Sequence, residues 1–166
     1  MVIFSSGGDI EKLTTHLKSI GLKLGQTERR LIAETPERLI LWYYSDQIVG
    51  HAIWHSSNTK IHPDGEPRDP EEKKILEQEL EVEGDFIELH EIWLADEYRG
   101  RGFGSEFFKY FENVVTSKGF KVIVYYADDP TALNICLKRG YKKAWGVDLE
   151  GINGEKSRYY ILAKHL

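Results

Sequence analysis

Two stretches of this chain bring together residues able to do chemistry. The first is Arg99-Gly100-Arg101-Gly102-Phe103-Gly104-Ser105, which leads into a run of apolar residues at helical spacing. The start of a helix carries unpaired N–H groups and partial positive charge. Glycines there let a diphosphate approach the backbone with no Cβ in its way, and Arg99 and Arg101 add positive charge. The second stretch is Asp85 to Leu94, Asp-Phe-Ile-Glu-Leu-His-Glu-Ile-Trp-Leu. Strand alternation predicts Glu88, His90, Ile92 and Leu94 on one face and Glu91 and Trp93 on the other, which makes Glu88 and His90 neighbours. An imidazole, with an unperturbed pKa of about 6.5, suits proton removal near neutrality. The plainer reading is a pair of polar residues on a solvated strand face.

A glycine-rich turn between strand and helix is often only a turn. The Gly-Lys-Ser/Thr of a nucleotide-binding P-loop is absent. A dinucleotide fingerprint follows directly on a strand buried on both faces. Here Ala95-Asp96-Glu97-Tyr98-Arg99 separates Leu94 from Gly100, and the strand carries Glu88, His90 and Glu91. Asp128 and Asp129, after the next strand, keep a dinucleotide-binding protein as an alternative.

The elements around these stretches can be read from periodicity. Val2 to Phe4 is a short strand. Asp9 caps a helix carrying Ile10, Leu13, Leu17 and Ile20, and Gly21 ends it. Thr27 to Glu34 fits a helix or a strand equally, and Pro36 closes it. Arg38 to Tyr44 and Gln47 to His55 form a hairpin about Ser45-Asp46; Trp42 to Tyr44 read as core. Ser56 to Pro70 is a long polar loop, and Pro70 to Leu80 a helix. After strand Asp85 to Leu94 come helix Gly104 to Ser117 with the core stripe Phe107, Phe108, Phe111, Val114 and Val115, strand Lys121 to Ala127, and helix Thr131 to Arg139. Strands Tyr141 to Leu149 and Ser157 to Lys164 close the chain, joined across Gly151 to Glu155. The predicted fold class is α+β in a single domain over residues 1–166: a mixed, mostly antiparallel sheet of six or seven strands flanked by about four helices.

Asp85 to Trp145 resembles the GNAT superfamily of N-acetyltransferases. Arg99-x-x-Gly102-x-Gly104 matches that family's Arg/Gln-x-x-Gly-x-Gly/Ala signature, and Ala132 to Tyr141, ending in Gly-Tyr, is similar to its late helix. Tyr159 to Lys164 is similar to its closing strand. The resemblance implies a GNAT-like fold and acetyl-CoA as cosubstrate, with no metal. Backbone N–H groups over Gly100, Arg101, Gly102, Phe103, Gly104 and Ser105, beside Arg99, would hold the pyrophosphate. Ile92, Trp93 and Leu94 would pair with pantetheine, and an N–H near Leu94 would polarise the thioester carbonyl. Glu88 stands where some members carry a general base acting through water, with His90 beside it. Where many members place a tyrosine that protonates the thiolate, this chain has Cys136, which is either a weak donor or a small buried hydrophobe. The thiolate then leaves as such, or takes a proton from water, Tyr125, Tyr126 or Tyr141. Asp129 stands where the family often has an asparagine on pantetheine, with Asn134 as a possible substitute.

The implied reaction is direct transfer of acetyl to a primary amine, on a small molecule or a protein, in a ternary complex. A non-catalytic acyl-CoA sensor of the same fold is the alternative. The chain has 166 residues and a net charge of −5, which argues against nucleic acid as a partner. Acidic residues crowd Pro63 to Asp96 and basic ones Arg99 to Lys143, an asymmetry suited to a cationic acceptor beside an anionic cofactor. The stretch Ser56 to Glu83 either covers the acceptor site, its carboxylates drawing an amine, or is a solvated acidic surface. His51 and His55, four apart on a strand, make no metal site without further ligands. One cysteine, no leader-like start and no membrane-length apolar run predict a cytoplasmic protein off the membrane, as monomer or homodimer.

Overall fold

The computed structural model describes residues 1–63, 65–150 and 156–166. It holds seven strands and five α-helices in the order β1 (Val2–Ser6), α1 (Ile10–Ser19), α2 (Gln26–Glu34), β2 (Leu39–Tyr44), β3 (Gln47–Asn58), α3 (Pro70–Lys74), β4 (Asp85–Leu94), α4 (Phe103–Ser117), β5 (Val122–Ala127), α5 (Pro130–Lys138), β6 (Lys142–Glu150) and β7 (Lys156–His165). The strands form one mixed sheet ordered β1-β2-β3-β4-β5-β7-β6. The expected α+β class holds, with a fifth helix where about four were expected. That helix is α2, over the stretch whose periodicity fitted either element. The connection Gly151 to Glu155 lies outside the described residues. No helix among the described residues is long and apolar enough to cross a membrane.

The chain divides into two compact units, Met1–His55 with Leu89–Phe107, and Ser56–Glu88 with Phe108–Leu166. In the first, β1, β2 and β3 form an antiparallel meander. Ser45 and Asp46 both take positive φ (49° and 63°), as a two-residue hairpin turn requires. The register slips between Trp42, opposite Gly50, and Tyr43, opposite Ile48, so Val49 is an extra residue, a β-bulge. Asp9 accepts the Glu11 N–H at 2.8 Å and fixes the start of α1. Leu13, Leu17, Leu31 and Ile32 of α1 and α2 then bury against Leu39, Leu41 and Ile53. Phe4, Trp42 and Phe107 form a separate aromatic cluster, with Trp42 and Phe107 stacked 4.7 Å apart and Phe4 edge-on to both.

In the second unit β7 pairs antiparallel with both β5 and β6. The helix expected to Leu80 is α-helical only through Lys74. It then widens to a π-turn over Ile75–Glu79, where the Leu80 N–H reaches the Ile75 carbonyl at 2.9 Å. The extra residue in that turn lets Ile75, Leu76 and Leu80 all bury with Val82, Phe86, Val124 and Ile161. The long polar stretch before α3 is pinned by Arg68, whose side chain is 0 % exposed. Its guanidinium donates to the Asn58 carbonyl, Ser57 Oγ, Glu72 Oε1 and the Tyr126 hydroxyl. Tyr126 in turn donates to Glu72.

Candidate active site

The glycine-rich turn lies wholly in the first unit. Gly100 and Gly102 hold φ of +78° and +83°, a region that penalises side chains. A Cβ at either would meet nothing within 4 Å, so the backbone there faces open space. The Gly102 carbonyl accepts the Glu106 N–H at 3.1 Å and opens α4, leaving the first N–H groups of the helix without helical partners. The turn's walls are aromatic. The buried Phe103 ring packs on Tyr44 and Tyr98, at 5.5 and 6.3 Å. Arg101 lies over both tyrosines, 5.0 Å from Tyr98 and 5.9 Å from Tyr44. Arg99 turns back, its Nε 3.3 Å from Asp96 and 3.4 Å from the Leu94 carbonyl. The turn thus presents open backbone and an Arg101 head held by cation–π contact, a fit for an anionic diphosphate.

The end of β4 is fixed by close backbone approach. The Ala95 N–H donates to the Val49 carbonyl at 2.9 Å. A Cβ on Gly50 would come 2.6 Å from the Trp93 carbonyl and 3.0 Å from Trp42. Gly50→Ala is therefore expected to cost about 1–3 kcal/mol of stability, as overpacking does, read as a lower denaturant midpoint.

The alternation expected along β4 does not hold between His90 and Glu91. His51 and His55, four apart, share a face of β3. The His90 ring lies 5.3 Å from His55, while Glu91 accepts from His51 at 2.7 Å and Trp93 stacks on His51 at 5.8 Å. His90, Glu91 and Trp93 therefore all meet the same side of β3, which a regular strand forbids and an irregular one allows. His90 Nε2 also lies 3.2 Å from Glu28 Oε1 on α2. Burial alone would raise the Glu91 carboxyl, but the hydrogen bond from His51 and the charges of His51 and His90 outweigh it and hold it below its usual range. Burial, then the charge of His51, lowers His16 below the ordinary imidazole value. His16 packs its ring 6.0 Å from Trp93.

In the second unit Glu88 is half-buried on β4, and its charge reaches Tyr126. The Tyr126 phenol is pushed well above its ordinary value, chiefly by burial and then by Glu72 and Glu88. Cys136 is fully buried, and burial, helped by the charge of Glu112, pushes its thiol up to about 12. Glu112 answers Arg139 (3.0 and 2.8 Å), the Tyr141 hydroxyl (3.0 Å) and Lys164 (2.9 Å). The buried Tyr125 and Tyr141 phenols also sit above their ordinary value, burial being the main cause. Asp129 caps α5 through the Thr131 N–H at 2.8 Å, and Asn134 is exposed on that helix.

Tyr44, Tyr98, Glu28 and the His51–Glu91 pair were not legible as site residues. Tyr44 read as core, Tyr98 only as the residue leading into the glycine-rich motif, and no spacing links Glu28 to His90. Arg68 and Glu72 did carry a signal: an arginine and a glutamate four apart at a helix start.

The profile of the Acetyltransferase (GNAT) family matches residues 12–141. Among solved structures, Drosophila melanogaster polyamine N-acetyltransferase is 11 % identical with a TM-score of 0.73, each chain covered over 100 %. Arylalkylamine N-acetyltransferase 2 from Aedes aegypti is 16 % identical with a TM-score of 0.68, over 99 % of this chain and 98 % of its own. Arabidopsis thaliana Naa50, in complex with the bisubstrate analogue CoA-Ac-MVNAL, is 15 % identical with a TM-score of 0.69, over 99 % of both chains. At these identities the likeness is one of fold. No curated protein matches the sequence.

Proposed function

Because this chain belongs to the acetyltransferase (GNAT) family, we propose that it transfers acetyl from acetyl-CoA to a primary amine, by direct attack with both substrates bound. The observation that carries this reading is the open, left-handed backbone at Gly100 and Gly102 ahead of α4. Amides from Gly100 to Ser105 hold the pyrophosphate, with Arg101 beside them. The backbone from Ile92 to Leu94 aligns pantetheine, and the amide near Leu94 stabilises charge developing on the carbonyl oxygen. Bound acetyl-CoA supplies an activated acyl carbon. Solved neighbours named for polyamine and arylalkylamine acetylation support amines as the acceptor class.

Glu88 takes the ammonium proton, directly or through water, with His90 as the second acceptor on the strand. The freed lone pair forms the C–N bond as the C–S bond breaks, and the thiolate takes its proton from solvent. A thiol buried as Cys136 is is poorly placed to supply one, and Tyr126 and Tyr141 already donate to carboxylates. Glu88→Gln is expected to lower turnover about 100-fold, the scale of one general base, most strongly near neutral pH, with acetyl-CoA affinity nearly unchanged. Thiol release across pH, paired with calorimetric titration of acetyl-CoA, reads both. Unaltered turnover removes Glu88 from the mechanism.

The burial of Cys136 where the family often carries a tyrosine favours one second reading, an acyl-CoA sensor without turnover. Thiol release over a panel of amines separates the two. Tight acetyl-CoA binding with no release on any amine supports the sensor.

A further inference from the structure

The first unit contains a cavity of about 560 Å³ beside the end of β4, within the range of small-molecule sites. Its apolar walls are Ile20 and Leu22 from the α1–α2 connection, Ile48 of β3 and Trp93. Ile20 and Leu22 are each 46 % exposed, large apolar side chains with little other use on the surface. Asp96 and Glu97 also line the cavity and are exposed. His16 lines it too, and its Nε2 is shut off from solvent with no hydrogen-bond partner. Behind it the buried His51 is fastened to Glu91 and stacked on Trp93, so that wall is rigid.

We infer that this cavity is the acceptor pocket, and that it takes a small monoamine with an aromatic or branched apolar body in preference to a linear di- or polyamine. The inference rests on the acetyl-transfer reading above, which places the reacting carbonyl at the amide of Leu94. Trp93 and Ala95, the two neighbours of Leu94, both line the cavity. Four apolar side chains shield the body of the amine from water. Asp96 and Glu97 give the mouth a negative field that favours an entering ammonium. The His16 ring, packed 6.0 Å from Trp93 and held below the ordinary imidazole value by burial and then by the charge of His51, adds an uncharged ring to that wall. Among the described residues the only carboxylates lining the cavity, Asp96 and Glu97, are exposed at its mouth, so a second ammonium lodged among Ile20, Leu22, Ile48 and Trp93 would be desolvated without compensation. Glu72 of the acidic insertion serves no polyamine, since it is turned to Arg68 and Tyr126.

The test pairs 2-phenylethylamine with putrescine. Each is titrated calorimetrically into the whole protein in the presence of CoA, and each is assayed for KM and kcat by thiol release from acetyl-CoA. 2-Phenylethylamine should bind, with a Kd and a KM about ten-fold or more below those of putrescine, the scale of discrimination by an apolar pocket. Leu22→Trp fills the cavity from an exposed position. It should raise the Kd and KM for 2-phenylethylamine about ten-fold or more while the Kd for acetyl-CoA holds, and Ile3→Trp, at an exposed apolar residue that does not line the cavity, should change neither. Preference for putrescine, or a Kd for 2-phenylethylamine indifferent to Leu22→Trp, overturns the pocket. Absence of thiol release with either amine, acetyl-CoA being bound, counts against acetyl transfer itself. The calorimetric arm still decides the pocket in that case: binding that Leu22→Trp abolishes supports it, and no binding to the unaltered protein rejects it.

Discussion

Gly102→Val should abolish measurable acetyl-CoA binding in a protein that still folds. Two effects act together. At a φ of +83° a β-branched residue is strained by roughly 1–2 kcal/mol, which pulls the turn away from the conformation that aims its amides outward. The space beside Gly102 is open to 4 Å, so the valine methyls fit there in the free protein and stand where the diphosphate would lie. Affinity is expected to fall by about 100-fold or more, or about 2.8 kcal/mol at 1.4 per decade. Gly102→Ala, which carries the strain with less bulk, should lose less. Calorimetric titration reads the affinity and a thermal melt shows that the variants fold. Undiminished affinity in Gly102→Val would mean that the turn holds no phosphate.

The second large effect falls on stability. Glu72→Ala removes the carboxylate facing Arg68 at 2.7 Å, and the Arg68 side chain is fully buried. The guanidinium keeps the Ser57 hydroxyl and the Asn58 carbonyl but loses its counter-charge, and the Tyr126 hydroxyl loses its acceptor. Breaking a buried pair from one side costs about 3–5 kcal/mol, a large share of the roughly 5–15 kcal/mol that holds a domain folded. Replacing both partners with apolar residues, Arg68→Met with Glu72→Leu, should recover most of that loss, because no charge is then left stranded. Urea unfolding measures both. A loss under about 1 kcal/mol for Glu72→Ala, the scale of a solvated surface pair, would show that water reaches Arg68.

The sequence carried the local features of the fold well and the long-range ones poorly. Asp9 caps its helix, Ser45-Asp46 turns the hairpin, and β4 runs from Asp85 to Leu94 as its pattern predicts. Each of these depends on residues a few positions apart. The helix from Pro70 was expected to Leu80, yet the π-turn at Ile75–Glu79 answers a tertiary demand: five residues must bring Ile75 and Leu80 into one core. The broken alternation at His90 and Glu91 is also tertiary. It shows only through His51, Glu28 and His55, which lie 40, 62 and 35 residues away in sequence. The glycine turn was legible because its chemistry lies in its backbone. The aromatic clasp of Tyr44 and Tyr98 on Arg101 was not, since nothing in the run Trp42 to Tyr44 separates a core ring from one that supports a binding turn.

A crystal structure of the whole protein grown with acetyl-CoA tests the central claim most directly. The account predicts diphosphate density against the amides from Gly100 to Ser105, and the thioester carbonyl within hydrogen-bond reach of the amide near Leu94. Coenzyme bound elsewhere, with those amides facing solvent or covered by the protein's own side chains, would contradict it.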